Sequence, residues 1–292
     1  MKRLARVSAT LPEGGEGLHH HEGILPLAKS MSLKGYSWVL PGHGNSYFDC
    51  GKLLIFGCLN VDEHTQEGLF EPMRGKAYVQ MKKRTCLRAE CPVCYEKWAG
   101  KEAEKIAWRL SAWSGHGKII HVVASPKLKR GVAFNRLRAE CYRILRKHGV
   151  LGGSVIFHPF RQLKNSKRWY LSPHFHVLGY GWVVKTKEGY ENHGWVVKNI
   201  GIRKTVSGTA LYQLSHCGIR KNFHSVTWFG HLSYNKLRVP PRPEPEKETC
   251  PICGKVLRPL YYFGKEELPT EEGFYWLDPE GFVLKPKRWD YG

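Results

Sequence analysis

Two histidines separated by one apolar residue, His174 and His176, are the first candidates for chemistry in this 292-residue chain. Side chains alternate along a β-strand, so both imidazoles would lie on one face while Phe175 points into the core. Such a pair can bind a divalent cation, although a solvated strand face gives the same pattern. His158 ends the preceding predicted strand, where it is either solvent-exposed or, through antiparallel pairing, a third ligand.

A second candidate group lies on a predicted helix over residues 209–217. At about 100° per residue, one face of this helix is apolar and contains Ala210, Leu211, Leu214 and Cys217. Tyr212 and His216 lie together on the opposite side, one turn apart. Tyr212 is therefore a candidate nucleophile rather than a core tyrosine. His216 either assists it or stabilises the end of the helix through the helix dipole.

Nine cysteines are present, and the amino-terminal residues lack the apolar core of a secretory signal. Tight CxxC spacings in such a chain predict metal sites rather than disulfides. Cys91 and Cys94 form a zinc knuckle, in which one turn presents two thiolates. Cys86 lies close by in sequence and is a third candidate. The fourth ligand is left open, with three candidates: Cys58, Cys50 and His64.

A second knuckle is formed by Cys250 and Cys253 near the carboxyl-terminal end. No second pair of cysteines is obvious for it. Its remaining ligands could come from a second chain or from Cys217, His224 or His231. Cys141 lies on the apolar stripe of a predicted helix, so we expect it in the core.

The charge of the chain predicts a polyanionic partner. Lys and Arg number 46 against 25 Asp and Glu, which gives a net charge of +21. Nucleic acid is the favoured partner, because basic residues release its condensed counterions. The same net charge would also suit a passive basic surface, binding to a membrane surface or a ribosome-like role. Basic clusters beside aromatic residues suit single strands, and the DNA-binding candidates are Arg161, Lys164, Lys167, Arg168 and Trp169.

Periodicity predicts the elements that must position these residues. Strands are expected at 118–123, 155–158, 175–180 and 224–229, and helices at 101–113, 134–148 and 209–217. From residue 118 onward the order is strand, helix, strand, strand, helix, strand. This order is typical of a split βαβ, ferredoxin-like α+β fold with an antiparallel sheet.

The chain divides into four predicted segments. Residues 1–34 form a flexible arm, 35–99 a zinc-binding module, 100–238 the α+β domain, and 239–292 a Pro-rich linker with a small tail. The composition, 42% hydrophobic and 24% charged, excludes a wholly disordered or fibrous chain. We expect no transmembrane helix, because no run of about 18 apolar residues occurs. No phosphate-binding GxxxxGK[ST] loop occurs, so we expect no fused P-loop helicase.

Taken together, the motifs resemble the HUH endonuclease superfamily, and more narrowly the rolling-circle replication initiators of archaeal plasmids and viruses. The resemblance covers roughly residues 50–235 and rests on five strings, which lie at 86–98, 157–161, 172–179, 212–216 and 226–230. The tyrosine follows the histidine motif, as in replication initiators. His216 occupies the place of a second tyrosine, so the chain resembles the single-tyrosine type. Residues 119–126 lie where the first family motif is expected, but lack its usual threonines.

The resemblance implies an activity. A Mn²⁺ or Mg²⁺ ion held by His158, His174 and His176 would polarise a phosphate of single-stranded DNA at a replication origin. Tyr212 would attack that phosphate, become joined to the 5′ phosphate and release a 3′ hydroxyl that primes synthesis. Host replication proteins would be further partners, and a plasmid- or virus-encoded, cytoplasmic protein is expected. Two alternatives stay open, namely an HUH transposase and a zinc-bearing nucleic-acid-binding regulator without catalysis.

Overall fold

The computed structural model describes residues 32–33, 36–115, 117–127, 133–163, 169–184 and 186–286. The helices in these ranges are α1 (Tyr95–Ser111), α2 (Phe134–Lys147), α3 (Thr186–His193) and α4 (Val206–Leu214). The strands are β1 (Ser32–Leu33), β2 (Tyr36–Ser37), β3 (Leu53–Cys58), β4 (Ala77–Lys83), β5 (Ile120–Pro126), β6 (Val150–Gln162), β7 (Trp169–Gly181), β8 (Trp195–Ile202), β9 (Val226–Gly230), β10 (Arg258–Tyr262), β11 (Gly273–Leu277) and β12 (Phe282–Leu284).

The chain folds into two compact units that are each discontinuous in sequence. The first unit contains residues 1–45 and 88–240, and the second contains 46–87 and 241–292. The predicted boundary near residue 238 therefore falls beside a unit boundary, whereas residues 35–99 divide between the two units. The predicted arm lies outside the described residues, apart from the short strand β1. No helix among the described residues is both long and apolar enough to cross a bilayer.

Five strands of the first unit form an antiparallel sheet in the order β8-β5-β7-β6-β9. Strands β5 and β6 are joined through α2, and β7 lies between them. The long hairpin β6–β7 forms the centre of the sheet, with thirteen residues in each strand. All four predicted strands are therefore present, and the α+β class with an antiparallel sheet is confirmed.

One strand of this sheet was not predicted. Strand β8 pairs with β5 at one edge, and β9 pairs with β6 at the other. The segment Trp195–Ile202 is rich in β-branched and aromatic residues, which is the usual signal of a strand. The sheet consequently has five strands rather than the four expected from the sequence.

Helix α2 covers one face of this sheet. Its apolar residues recur at helical spacing and pack against inward-facing residues of β5, β6 and β7, including Val122, Val155, Phe175 and Val177. The helix ends before Gly149, whose φ of +85° suits the left-handed conformation after a helix. Cys141 is fully buried on this stripe, in agreement with its predicted core position.

Helices α1 and α4 cover the opposite face. Ile106 and Leu110 of α1 and Leu214 of α4 form a second core with Ile156 and Leu178 of the sheet. Helix α4 ends at Leu214, three residues before the predicted end, so His216 lies just beyond it. Ser215 keeps helical dihedral angles, φ −63° and ψ −20°, and His216 therefore still follows Tyr212 by one turn.

The second unit is a five-stranded antiparallel sheet in the order β11-β4-β3-β10-β12. It joins two chain segments that are about 170 residues apart in sequence. Its core is small, with Val79, Met81, Leu260 and Phe282 among its buried residues. The carboxyl-terminal residues expected as a tail are therefore integral strands of this sheet, a pairing that local sequence patterns cannot reveal.

Candidate metal centres and active site

The β6–β7 hairpin brings the three predicted histidines together. His158 and His174 are directly opposite each other in the antiparallel register, and His176 is opposite Ile156. The ligand nitrogens of the three imidazoles all lie within 4.8 Å of one another. The period-two alternation of the strands places all three rings on the face that α1 and α4 cover, since the neighbouring Phe157 and Phe175 belong to the α2 core.

Burial keeps these imidazoles neutral at physiological pH. It holds the pKa of His158 well below its usual value, and the neighbouring His176, His216 and His174 lower it further. Burial also lowers the pKa of His174 to about 4 and that of His176 well below the ordinary range. A neutral imidazole keeps a lone pair for a metal ion, so the cluster is ready to act as a ligand set.

The chemistry of the donors fits a divalent cation. Both ring nitrogens of His158 are buried and have no hydrogen-bond partner. Burying such polar atoms costs free energy unless a lone pair on one of them binds a cation. Nδ1 of His174 lies 2.7 Å from the carbonyl oxygen of Ser172, so this nitrogen donates and Nε2 keeps its lone pair. Three neutral ligands would leave the full charge of a divalent ion to act on an anionic substrate.

A second layer of side chains connects His176 with helix α4. Nε2 of His121, on β5, lies 2.8 Å from Nδ1 of His176. The buried amide of Gln213, the residue after Tyr212, lies 3.0 Å from the same His121 nitrogen. Arg203 lies 3.1 Å from the other ring nitrogen of His121. These contacts orient a candidate ligand and tie it to the helix that carries the tyrosine.

The sequence does not mark this second layer as part of the site. Periodicity places His121 within the strand at 119–126, and no motif includes Gln213 or Arg203 as site residues. The alternation of β5 offers a signal, because His121 is a polar residue between the core residues Ile120 and Val122. No pattern within α4 or after β8 marks Gln213 or Arg203, which meet His121 only in the folded chain.

Tyr212 and His216 lie beside the histidine cluster in the predicted order. The Tyr212 ring is 64% exposed, and it lies 4.8 Å, between ring centroids, from His216. The His216 ring lies 4.5 Å from that of His158. Burial lowers the pKa of His216 to about 4, so its imidazole is neutral at pH 7. An exposed phenol is thus linked through a neutral imidazole to the cluster.

Two of the predicted DNA-binding residues lie at the same end of the hairpin. Nη2 of Arg161 donates a hydrogen bond of 3.0 Å to the hydroxyl of Ser125. The charge of Arg161 also lowers the pKa of His174, although burial has the larger effect. The Trp169 ring lies 6.4 Å from that of His216. The other three predicted residues lie outside the described residues, and they are Lys164, Lys167 and Arg168.

The first zinc knuckle lies at the beginning of α1. Cys91 and Cys94 are buried there, and the tight turn of the CxxC motif presents both sulfurs. Two such thiolates are half of a common structural zinc set. The other candidates for this site, Cys50 and Cys86, belong to the second unit, and the full ligand set stays a prediction.

Three cysteines and one histidine form a second candidate zinc site within the second unit. Its members are Cys58, His64, Cys250 and Cys253. The Cys58 sulfur lies 3.5 Å from that of Cys253 and 3.9 Å from Nε2 of His64, and the Cys250 sulfur lies 3.2 Å from the same nitrogen. A tetrahedron with zinc–sulfur bonds of about 2.3 Å has edges of about 3.8 Å. The observed spacing fits a metal such as zinc.

The surroundings of this second site favour ligation. Nδ1 of His64 lies 2.8 Å from the carbonyl oxygen of Lys76, so it donates and turns Nε2 toward the three sulfurs. Burial raises the pKa of Cys253, but hydrogen bonds from the Lys255 backbone, His64 and the two other cysteines together lower it to about 7. Burial raises the pKa of Cys58 to about 12, a cost that ligation to a cation removes.

Two predictions about the cysteines need correction. Cys58 does not complete the site of Cys91 and Cys94, because it lies on β3 beside the Cys250–Cys253 turn. The second knuckle does not take its partners from Cys217, His224 or His231. Cys217 is fully buried in the apolar core between α1, α4 and the sheet of the first unit. The pairing of β3 with β10 brings Cys58 to the knuckle instead, and His64 comes from the short 3-10 helix Val61–Thr65 that follows β3.

Comparison of the chain with protein-family models, with curated proteins and with solved structures finds no match. The candidate sites therefore rest on the geometry described above.

Purified protein is expected to contain two zinc ions per chain. Cys253→Ala should retain one, because it removes a ligand from the Cys3His site alone. Cys141→Ala is the control, since this buried cysteine belongs to an apolar core, and it should retain both. Elemental analysis of the folded proteins measures the difference. Two tightly held zinc ions in Cys253→Ala would contradict the assignment.

The histidine cluster is expected to bind one Mn²⁺ per chain. His176→Ala should abolish this binding, because two remaining imidazoles hold a divalent cation weakly. His231→Ala, which alters an exposed histidine in the turn after β9, should bind Mn²⁺ as the wild type does. Calorimetric titration of the zinc-loaded chain measures both. Equal Mn²⁺ affinity in the two variants would place the site elsewhere.

Proposed function

We propose that this chain is a metal-dependent endonuclease of the HUH type that nicks and rejoins single-stranded DNA to initiate rolling-circle replication. The observation that carries the proposal is the juxtaposition of the neutral three-histidine cluster with an exposed tyrosine, through His216. A metal ligand set alone would serve many enzymes. A phenol presented next to it, without an obvious structural role, favours covalent attack on a polarised phosphate.

The proposed step is a transesterification. The Tyr212 oxygen bonds to phosphorus while the bond from phosphorus to the 3′ oxygen breaks. The phenol proton passes to His216, and the leaving 3′ oxygen takes a proton from solvent. When bound, the metal ion polarises the phosphate and stabilises the added negative charge. The phosphotyrosine conserves the energy of the phosphodiester, so the reverse step can rejoin the strand without a nucleotide cofactor.

The topology of the first sheet supports the family-level proposal. Strand β5, helix α2 and strand β6 form a split βαβ unit, because β7 lies between the two strands. Strand β8 then lies beside β5, which completes the ferredoxin-like order with α3 as the second helix. Strand β9 extends this plan at the other edge. The histidines lie on strands β6 and β7, which are both paired with neighbours on either side.

The distribution of charge supports a nucleic-acid substrate for the first unit. Residues 88–240 contain 27 Lys and Arg against 7 Asp and Glu, a net of +20. The second unit, residues 46–87 and 241–292, contains 14 basic and 15 acidic residues, a net of −1. The positive charge thus accompanies the candidate active site, and Arg161 lies beside it. A single strand suits the site, because Trp169 and Tyr212 offer rings on which bases can stack.

Replication is the proposed role because the motifs most resemble those of replication initiators, in which the tyrosine follows the histidine motif. In that role the 3′ hydroxyl primes synthesis at an origin, and host replication proteins are the further partners. A transposase would use the same cutting chemistry. A zinc-bearing regulator would have the metal sites and the charge without covalent capture of DNA.

Tyr212→Phe should fold normally and bind a single-stranded oligonucleotide with wild-type affinity, but form no covalent adduct. Phenylalanine keeps the ring and removes only the attacking oxygen. Tyr234→Phe is the matched control, because Tyr234 is 67% exposed against 64% for Tyr212, and it should form the adduct normally. Denaturing gels with Mn²⁺ measure the adduct. An adduct in Tyr212→Phe would show that another tyrosine attacks, and no adduct in any protein would favour the regulator.

His216→Asn should slow adduct formation by about 10²–10⁴-fold, the usual contribution of a positioned acid–base group. Its affinity for a single-stranded oligonucleotide should stay unchanged. The comparison uses single-turnover rates at saturating DNA and Mn²⁺. A rate within threefold of the wild type would restrict His216 to a packing role beside Tyr212.

A further inference from the structure

Helix α2 exposes an unusually one-sided set of charges. Its six exposed residues are Asn135, Arg136, Ala139, Arg143, Arg146 and Lys147, of which four are basic and none is acidic. The one acidic residue of the helix, Glu140, is half-buried and lies 3.8 Å from the Arg143 guanidinium. A surface pair at that distance contributes little to stability. The outer face of α2 is therefore a nearly continuous positive stripe.

Helix α1 shows that this stripe is not a general property of the basic first unit. Three exposed lysines, Lys97, Lys101 and Lys105, alternate along α1 with glutamates. One of these glutamates, Glu102, accepts a hydrogen bond from Lys105 at 2.6 Å. The outer face of α1 is consequently close to neutral, which is the usual arrangement of a solvated helix. The excess of positive charge on α2 needs a different explanation.

The stripe lies on the other side of the sheet from the candidate active site. The buried side of α2 packs against the sheet face formed by Val122, Phe157 and Phe175. His158 and His176 point from the alternate positions of the same strands, toward α1 and α4. A strand of DNA in the histidine site cannot also cover α2, so the stripe would contact a different part of the nucleic acid.

We infer that the outer face of α2 is a second nucleic-acid-binding surface, which binds the phosphate backbone of duplex DNA. Charge complementarity with a polyanion is the first argument. The shape of the surface selects the duplex, because an α-helix fits the major groove of B-form DNA, about 12 Å wide. Duplex RNA is disfavoured, since its major groove is too narrow for side chains to enter.

The spacing and composition of the stripe agree with this partner. Lys147 follows Arg136 by eleven residues, about 16 Å along the helix axis at 1.5 Å per residue. Long side chains that far apart reach the phosphates on both rims of a major groove. The exposed residues of α2 include no aromatic side chain, so the face lacks the stacking platforms that single strands use.

This inference takes its DNA partner from the proposed function and adds a second contact to it. The duplex beside a nick would be held on α2, while the single strand to be cut lies in the histidine site on the opposite face. The division would keep the protein on the origin after the strand has been opened. Binding to α2 requires no cleavage, so it can be tested independently of the nuclease activity.

The test uses the full zinc-loaded chain and a triple variant, Arg136→Gln, Arg143→Gln and Lys147→Gln. Glutamine keeps the helix propensity and removes the charge. The dissociation constant for a 30-base-pair DNA duplex should rise about tenfold or more. The slope of log K against the logarithm of the salt concentration should become shallower by about 2 to 3. The affinity for a single strand of the same sequence should change less than threefold.

The matched control removes the same number of charges from α1, through Lys97→Gln, Lys101→Gln and Lys105→Gln. It should bind the duplex within threefold of the wild type. Equal losses of duplex affinity in the two triple variants would overturn the inference. So would an α2 variant that loses as much affinity for the single strand as for the duplex, or a wild-type chain that binds duplex RNA more tightly than duplex DNA. Loss in the α2 variant alone would support the surface even if no protein formed a covalent adduct.

Discussion

The alternation of side chains along the central hairpin β6–β7 is the constraint on which the rest of the first unit depends. Each strand must cover the α2 core with one set of residues, such as Phe157 and Phe175, and it thereby turns the next set to the opposite face. That set holds the imidazoles of His158, His174 and His176. Helices α1 and α4 cover them, and this burial keeps them neutral. The same packing that stabilises the sheet thus prepares a ligand set for a cation.

The second unit depends on a different constraint, because its apolar core is small. A five-stranded sheet whose strands come from two distant segments pays a loop-closure cost and gains few buried side chains. A metal bound by the Cys3His set, which joins β3 to the Cys250–Cys253 turn, would offset that cost through metal–ligand bonds. The candidate metal sites therefore divide by proposed role. The cysteine sites would stabilise folded segments, whereas the histidine site would leave a cation able to meet a substrate.

The first unit combines this site with nearly all of the net positive charge. Its two faces differ in what they offer a nucleic acid. The face covered by α1 and α4 has aromatic rings beside the histidine cluster, which suit a single strand, whereas the charged groups exposed on α2 are all basic. The proposed function, together with duplex binding on α2, requires both kinds of surface. The arrangement around one sheet keeps them separate without a further domain.

The sequence by itself determined four of the five strands of the first unit's sheet and three of the four α-helices. It also determined that His174 and His176 share one face, because all of these follow from local periodicity. It also identified the cysteine knuckles and placed Tyr212 away from the apolar side of its helix. Only the tertiary structure decided which distant residues meet. The partners of the Cys250–Cys253 knuckle are Cys58 and His64. His121 contacts both His176 and Gln213. Such contacts depend on strand register and helix packing between segments far apart in the chain, and no local period encodes them.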